Sequence, residues 1–215
     1  PNHEFFKTTY IPINESSSNV EVIQDTFFYT VVDCSLEDLK KMCMEYIRPI
    51  VTFEYKDPID ETVIHFRGGD VFGNNPHGSY VQPPLKYYTE ILDNRPCIIV
   101  KEDDRNPCIK HINNAKTFRG TLKNDFEMLL QAKELICGKG TFCLAVYLLS
   151  EHIQIVHMPY TMYKTLPGGD TVVEFRVYDF EKYIDDGNWS ASKDQLELMV
   201  KYSNKLSLRN DVGIR

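Results

Sequence analysis

The chain has 215 residues, 42% hydrophobic and 26% charged, which is enough for one large domain or two small ones with a real core. A net charge of −7 and an isoelectric point near 5.4 exclude a general nucleic-acid or membrane-surface binder, because phosphate contacts need a basic face. A local basic pocket for one small anion stays open. No run approaches the ~18 apolar residues that span a bilayer.

In chain order, residues 14–19 (NESSSN) form a polar loop, and residues 20–32, rich in β-branched and aromatic residues, read as a strand. Residues 34–50 form a helix: Ser35 is an N-cap, Glu37 and Asp38 lie in the first turn, and Leu36, Leu39, Met42, Cys43 and Tyr46 or Ile47 share a face until Pro49 limits it. A strand over 62–66 (TVIHF) runs into a loop over 67–82, and a helix opens at the prolines of PPLKYYTEILD. Residues 96–104 (PCIIVKEDD) are a short apolar strand ending in acids. Residues 123–142 start as a helix capped by Asn124 or Asp125 and break at Gly138 and Gly140, and residues 142–150 form a second helix. HIQIVHMP (152–159) alternates as a strand does, TVVEFRVYDF (171–180) is a strand, and residues 192–206 form an amphipathic helix capped by Ser190 or Ser192.

Strands alternating with helices predict an α/β fold with a mostly parallel, Rossmann-like sheet, whose ligands bind beyond the carboxyl ends of the strands. Three clusters fall there. In the first, Gly68 and Gly69 permit close backbone approach, and Arg67 offers a permanently charged fork suited to a diphosphate. The alternative is an Arg67–Asp70 pair that only stiffens a loop. In the second, Glu102, Asp103 and Asp104 can bind ribose hydroxyls or a base edge, or form a solvated turn. In the third, Lys139, Gly140, Thr141 and Phe142 join a glycine turn to a helix start, which favours an anion, although the Walker spacing is absent.

Six cysteines, at 34, 43, 97, 108, 137 and 143, include no CxxC pair and no structural-zinc spacing, and read mostly as reduced core residues. Reduced cysteines and the lack of a signal peptide favour the cytoplasm. The chain opens on proline, as an excised piece would, so missing targeting signals say little about the natural protein.

Taken together, these clusters resemble the fucosyltransferase superfamily, especially its α-1,2-fucosyltransferase-like branch. VIHFRGGD resembles the H-x-R-x-G-D motif, LKYYTEIL the helix after it, IIVKEDD a strand ending in acids, and DFEMLLQAKELICGKGTFCLAVYLL the later phosphate-loop block, over roughly residues 60–150. The resemblance implies a GT-B arrangement in which residues 61–215 are the nucleotide-sugar-binding portion. Residues 1–60, too few for a full acceptor-binding half, would be a reduced or partial one within a single 1–215 domain, or the chain would be a piece of a longer multidomain enzyme. It implies an inverting, metal-independent transfer of fucose from GDP-fucose, or of another 6-deoxyhexose such as L-rhamnose, to a glycan hydroxyl. Arg67 would hold the departing diphosphate, Thr141 and nearby amides the distal phosphates, and Asp103 or Asp104 would lie toward the nucleoside. Two departures weaken the match to one donor: the family's second arginine is Gly68 here, and its serine and tryptophans are missing from KGTFCLA.

His65, Asp70, Glu102 and Asp103 are the candidate proton acceptors, although His65 within a strand pattern also reads as a core histidine. His77 and Tyr80, in the long loop after the motif, are candidates for sugar or base contact. Trp189 can stack on a sugar, but its surroundings read more simply as a helix entry. The alternative function is a non-catalytic nucleotide- or glycan-binding module of a larger glycan-building protein.

Overall fold

The computed structural model describes residues 34–169 and 171–209, so the loop and strand expected over 14–19 and 20–32 lie outside the described residues. Strands β1 (Thr62–Phe66), β2 (Cys97–Lys101), β3 (Ala115–Phe118), β4 (Glu134–Cys137), β5 (Ile155–Pro159), β6 (Glu174–Phe180) and β7 (Leu206–Arg209) form one sheet of order β3-β2-β1-β4-β5-β6-β7. Every pairing is parallel except β6 with β7. Helices α1 (Leu36–Met42), α2 (Leu85–Leu92), α3 (Leu122–Leu130), α4 (Thr141–Leu149), α5 (Tyr160–Tyr163) and α6 (Lys193–Lys201) cover both faces. This is an α/β architecture compatible with a Rossmann-like fold. No helix among the described residues is long and apolar enough to cross a membrane.

Alternation along the strands builds two cores. Val63, Val100, Leu135, Val156 and Val177 pack under α1, α3, α4 and α5, whereas Ile64, Phe66, Ile99 and Ile136 pack under α2 and α6. The connection from β1 to β2 carries α2 on one face, and that from β4 to β5 carries α4 on the other. The chain therefore winds outward in opposite directions from the β1–β4 pair. Beyond the carboxyl ends of those two neighbours a crevice must open.

The helix expected over 34–50 begins as read: the Ser35 hydroxyl accepts from Asp38 N at 3.0 Å. Past Met42 it widens into a π-turn over Cys43–Ile47, ahead of Pro49, whose ring and missing N–H cannot continue an α-helix. The wider turn rotates the expected apolar face outward, leaving Tyr46 63% exposed.

The helix expected to run from residue 123 to a break at Gly138 is corrected. Helix α3 ends at Leu130, and ELIC becomes β4, the central strand between β1 and β5. A four-residue strand buried on both faces shows no alternation and cannot be told from buried helix by period. The cap is Thr121, with Asn124 as its capping-box partner, not Asn124 or Asp125 themselves. The expected C-terminal helix likewise stops at Lys201, and Leu206 opens β7.

Candidate anion and nucleotide site

Beyond the ends of β1, β2 and β3 lies a pocket of about 440 Å³ lined by His65, Arg67, Glu102, Arg119, Gly120, Leu122, Asp125 and Phe142. It brings together four residues singled out in the sequence (His65, Arg67, Glu102 and Phe142) with others that sequence reading missed, chiefly Arg119 and Asp125. Arg119 follows β3, a half-exposed edge strand whose sequence, AKTF, offers little apolar signal, so the strand end itself went unseen. Among the described residues Arg119 forms no ion pair.

Arg67 leaves β1 one residue past its end and is 26% exposed. One Nη donates to Asp70 Oδ1 at 2.9 Å, and the other lies 3.8 Å from Glu102 Oε2. Its Nε is buried and has no partner. Its aliphatic stem lies along Gly140, whose Cβ would stand 3.6 Å from Arg67 Cδ. Gly140, at φ +152, is the N-cap of α4 and offers no side-chain cap, so the first amides of that helix face the crevice alongside a guanidinium. A guanidinium beside a helix start without a side-chain cap is an arrangement suited to an anion.

The glycines of the motif have a packing reason. A Cβ on Gly68 would stand 2.5 Å from Asp103 Oδ1, and one on Gly69, at φ +57, 2.5 Å from Glu102 Oε1. Asp103 accepts from Gly69 N and Arg105 N, both at 2.9 Å, and Arg105 donates to Gly69 O. Asp103 thus clasps the arginine loop to the end of β2. Asp104 is exposed and pairs with Lys101, which holds its carboxyl below the usual aspartate range. Lys139 is buried and bonded to Asp186, which also meets Lys164 at 3.1 Å, so its charge is spent outside the pocket. Thr141, exposed, is the first residue of α4.

His65 is buried, its ring tilted on Phe142 with centroids 4.9 Å apart and its Nδ1 3.3 Å from Cys143 Sγ. Burial holds the Asp125 carboxyl above the usual aspartate range, against the 2.7 Å donation from Gly120 N and the nearby positive groups. Such a carboxyl is a ready acceptor for a ligand's N–H groups.

His77 and Tyr80 meet edge to face in the loop after the motif and do not line the pocket. That loop is pinned from the C-terminal side: Trp189 Nε1 donates to Val71 O at 2.6 Å, and Trp189 N to Gly78 O at 2.9 Å. Trp189 is 3% exposed, packed edge-on against Phe72. Replacing it with phenylalanine should cost about 1–2 kcal/mol, because Val71 O loses its buried donor. A urea titration checks this, and an unchanged midpoint would show that the indole bond contributes nothing.

Among the described residues no three His, Cys, Asp or Glu side chains group as metal ligands. Comparison with protein-family models, curated proteins and solved structures found no match to this chain.

Proposed function

We propose that the chain is a glycosyltransferase that moves a 6-deoxyhexose, fucose first and L-rhamnose second, from a nucleoside-diphosphate sugar to a glycan hydroxyl with inversion and without a metal. In this reading the sheet is the donor-side half of a GT-B enzyme. One observation carries it: Arg67, its Nε unpartnered, lies along the uncapped start of α4 at the point where the sheet's winding reverses. As the C1–O bond to the departing diphosphate breaks, charge grows on that oxygen, and preorganised donors aimed there supply the largest share of such catalysis. Arg67 and the α4 amides do this, and Arg119, across the same pocket, adds a second cation.

The pocket also speaks to the base. Guanine presents adjacent N1–H and N2–H donors that one carboxylate accepts together. Uracil and thymine offer a single N–H between two carbonyls, which a carboxylate repels. Asp125, buried beside His65 and Phe142, therefore favours a guanosine donor. The acceptor's proton must leave on the sugar face opposite the diphosphate. Asp70 and Glu102 lie on Arg67 instead, Asp103 is committed to two amides, and His65 contacts Cys143. The described site accordingly serves donor binding and leaving-group stabilisation.

The second reading, a non-catalytic module, draws on the carboxylates that already attend Arg67, Asp70 and Glu102. Thermal shift with GDP, UDP and dTDP tests both. GDP at about 100 times its dissociation constant should add ~2.7 kcal/mol, with much less from the pyrimidine nucleotides. Stabilisation by none of the three defeats the nucleotide reading, and stabilisation by GDP without turnover of GDP-fucose or a related donor selects the module.

A further inference from the structure

The sheet has a rim that the proposed transfer does not use. Strand β3 is outermost, and β2 is its sole neighbour among the described residues. Ala115 stands in register with Cys97, whose N–H donates to Asn114 O at 3.2 Å. In a parallel ladder that register turns the main-chain groups of Asn114, Lys116 and Phe118 toward β2. Ala115 and Thr117 therefore each turn an N–H and a C=O away from the sheet, and among the described residues these four groups meet no protein partner. Lys116 and Thr117 are exposed.

Charge selects what pairs there. Although the chain carries a net charge of −7, residues 105–123 hold Arg105, Lys110, Lys116, Arg119 and Lys123 with no aspartate or glutamate among them. Lys110 and His111 are exposed on the turn ahead of β3, and Arg119 is exposed just after it. None of these three forms an ion pair among the described residues, whereas Lys116 reaches Glu61 at 3.1 Å with its side chain still 76% exposed. A lysine on a short edge strand guards against pairing with another copy, because two such edges bring like charges together. The same lysine attracts a strand that carries acids. Outward N–H and C=O groups at alternate residues match the main chain of an extended polypeptide, which a glycan or a nucleic-acid backbone does not reproduce.

We propose that β3 is a docking edge for an extended acidic segment of a partner polypeptide, which adds to the sheet as a further strand. Its main chain pairs with Ala115 and Thr117, and its aspartates or glutamates meet Lys110, Lys116 and Arg119. Arg119 also lines the pocket, so one end of the docked segment lies at the pocket mouth. Pairing at this edge needs no nucleotide and does not rest on the reading of the pocket.

Fluorescence anisotropy of a labelled peptide of alternating glutamate and valine, titrated with the full chain, tests the docking. Binding should saturate. It should be roughly tenfold weaker for the peptide with lysine in place of glutamate, and for the acidic peptide methylated at every amide nitrogen. Thr117→Pro should weaken it by about the same factor. The N–H lost there points outward, so the bonds to β2 survive, and an unchanged melting midpoint checks that they do. Lys110→Glu combined with Lys116→Glu should reverse the order of the acidic and basic peptides. No saturable binding of the acidic peptide at millimolar concentration overturns the inference. Equal binding of the methylated peptide also overturns it, since this flank would then be a surface for any polyanion, heparin included. Should Thr117→Pro fail to fold, the methylated peptide on the parent protein decides alone.

Discussion

Replacing Arg67 with alanine should lower donor turnover by roughly two or more powers of ten, the scale of one oxyanion-type donor. Folding should barely change. Asp70, which loses its partner, is 75% exposed and Glu102 51% exposed, so both carboxylates are left in water, where such pairs contribute at most ~1 kcal/mol. The buried, unpartnered Nε disappears with the side chain. This combination separates the two roles open to Arg67. A residue that only stiffens its loop through Asp70 would be mimicked by Asp70→Asn, and both variants would lose a little stability and little activity. A residue that holds a diphosphate would lose GDP stabilisation in Arg67→Ala while Asp70→Asn kept most of it. Steady-state turnover of GDP-fucose and thermal shift with GDP on the two variants decide the matter, and turnover of Arg67→Ala within a few-fold of the parent removes the assigned role.

What could be read from the residues divides by how each element announces itself. Strand β1 and the loop after it were legible because a β-branched, largely apolar stretch with Val63, Ile64 and Phe66 ends at Arg67 and two glycines. Helix α2 shows a helical spacing of Tyr87, Tyr88, Ile91 and Leu92, all buried. Strand β4 was hidden because helix α3 runs into it across three residues, and one acid followed by three apolar residues carries no period. That miss had a consequence for the site: once β4 is a strand, the turn Gly138–Gly140 lies beside Arg67 at the sheet's reversal point instead of in a broken helix. Arg119 and Asp125 were invisible for a different reason. Neither belongs to a motif with its own spacing, and only the parallel register of β3 on β2 carries Arg119 to the mouth of the pocket. The acid cluster after β2 was located correctly, but its members part company. Asp103 faces inward as a clasp, Glu102 lines the pocket, and Asp104 turns to Lys101.

The largest stability effect is expected away from the pocket, at Glu134, the first residue of β4. Its side chain is 14% exposed, and its two oxygens take four hydrogen bonds from three side chains: Arg95 in a fork at 2.8 and 3.0 Å, the Thr62 hydroxyl at 2.9 Å, and His157 Nε2 at 2.9 Å. The far nitrogen of His157 meets the Tyr178 hydroxyl at 3.0 Å, so one carboxylate ties the starts of β1 and β4 to β5, β6 and the turn after α2. Glu134→Ala takes the acceptor from the buried Thr62 hydroxyl and His157 ring, and from the half-exposed Arg95 fork, and should cost about 3 kcal/mol, lowering the melting midpoint by roughly 6–12 °C. The bond from His157, with those from Arg95 and Thr62, holds the Glu134 carboxyl far below the ordinary glutamate value of 4.5, against the opposing effect of burial. A carboxyl depressed in the folded chain stabilises fully above its unfolded pKa, and that contribution drains away as pH falls toward the folded one. The parent should therefore lose stability steadily below about pH 4.5, where unfolded glutamates begin to take up protons. Glu134→Gln, uncharged at any pH, should start less stable at pH 7 and show a flatter acid limb. Denaturant midpoints from pH 7 to pH 3 on the three proteins give the comparison. Parallel acid limbs for the parent and Glu134→Gln would mean that this carboxylate is not what couples the sheet's stability to pH.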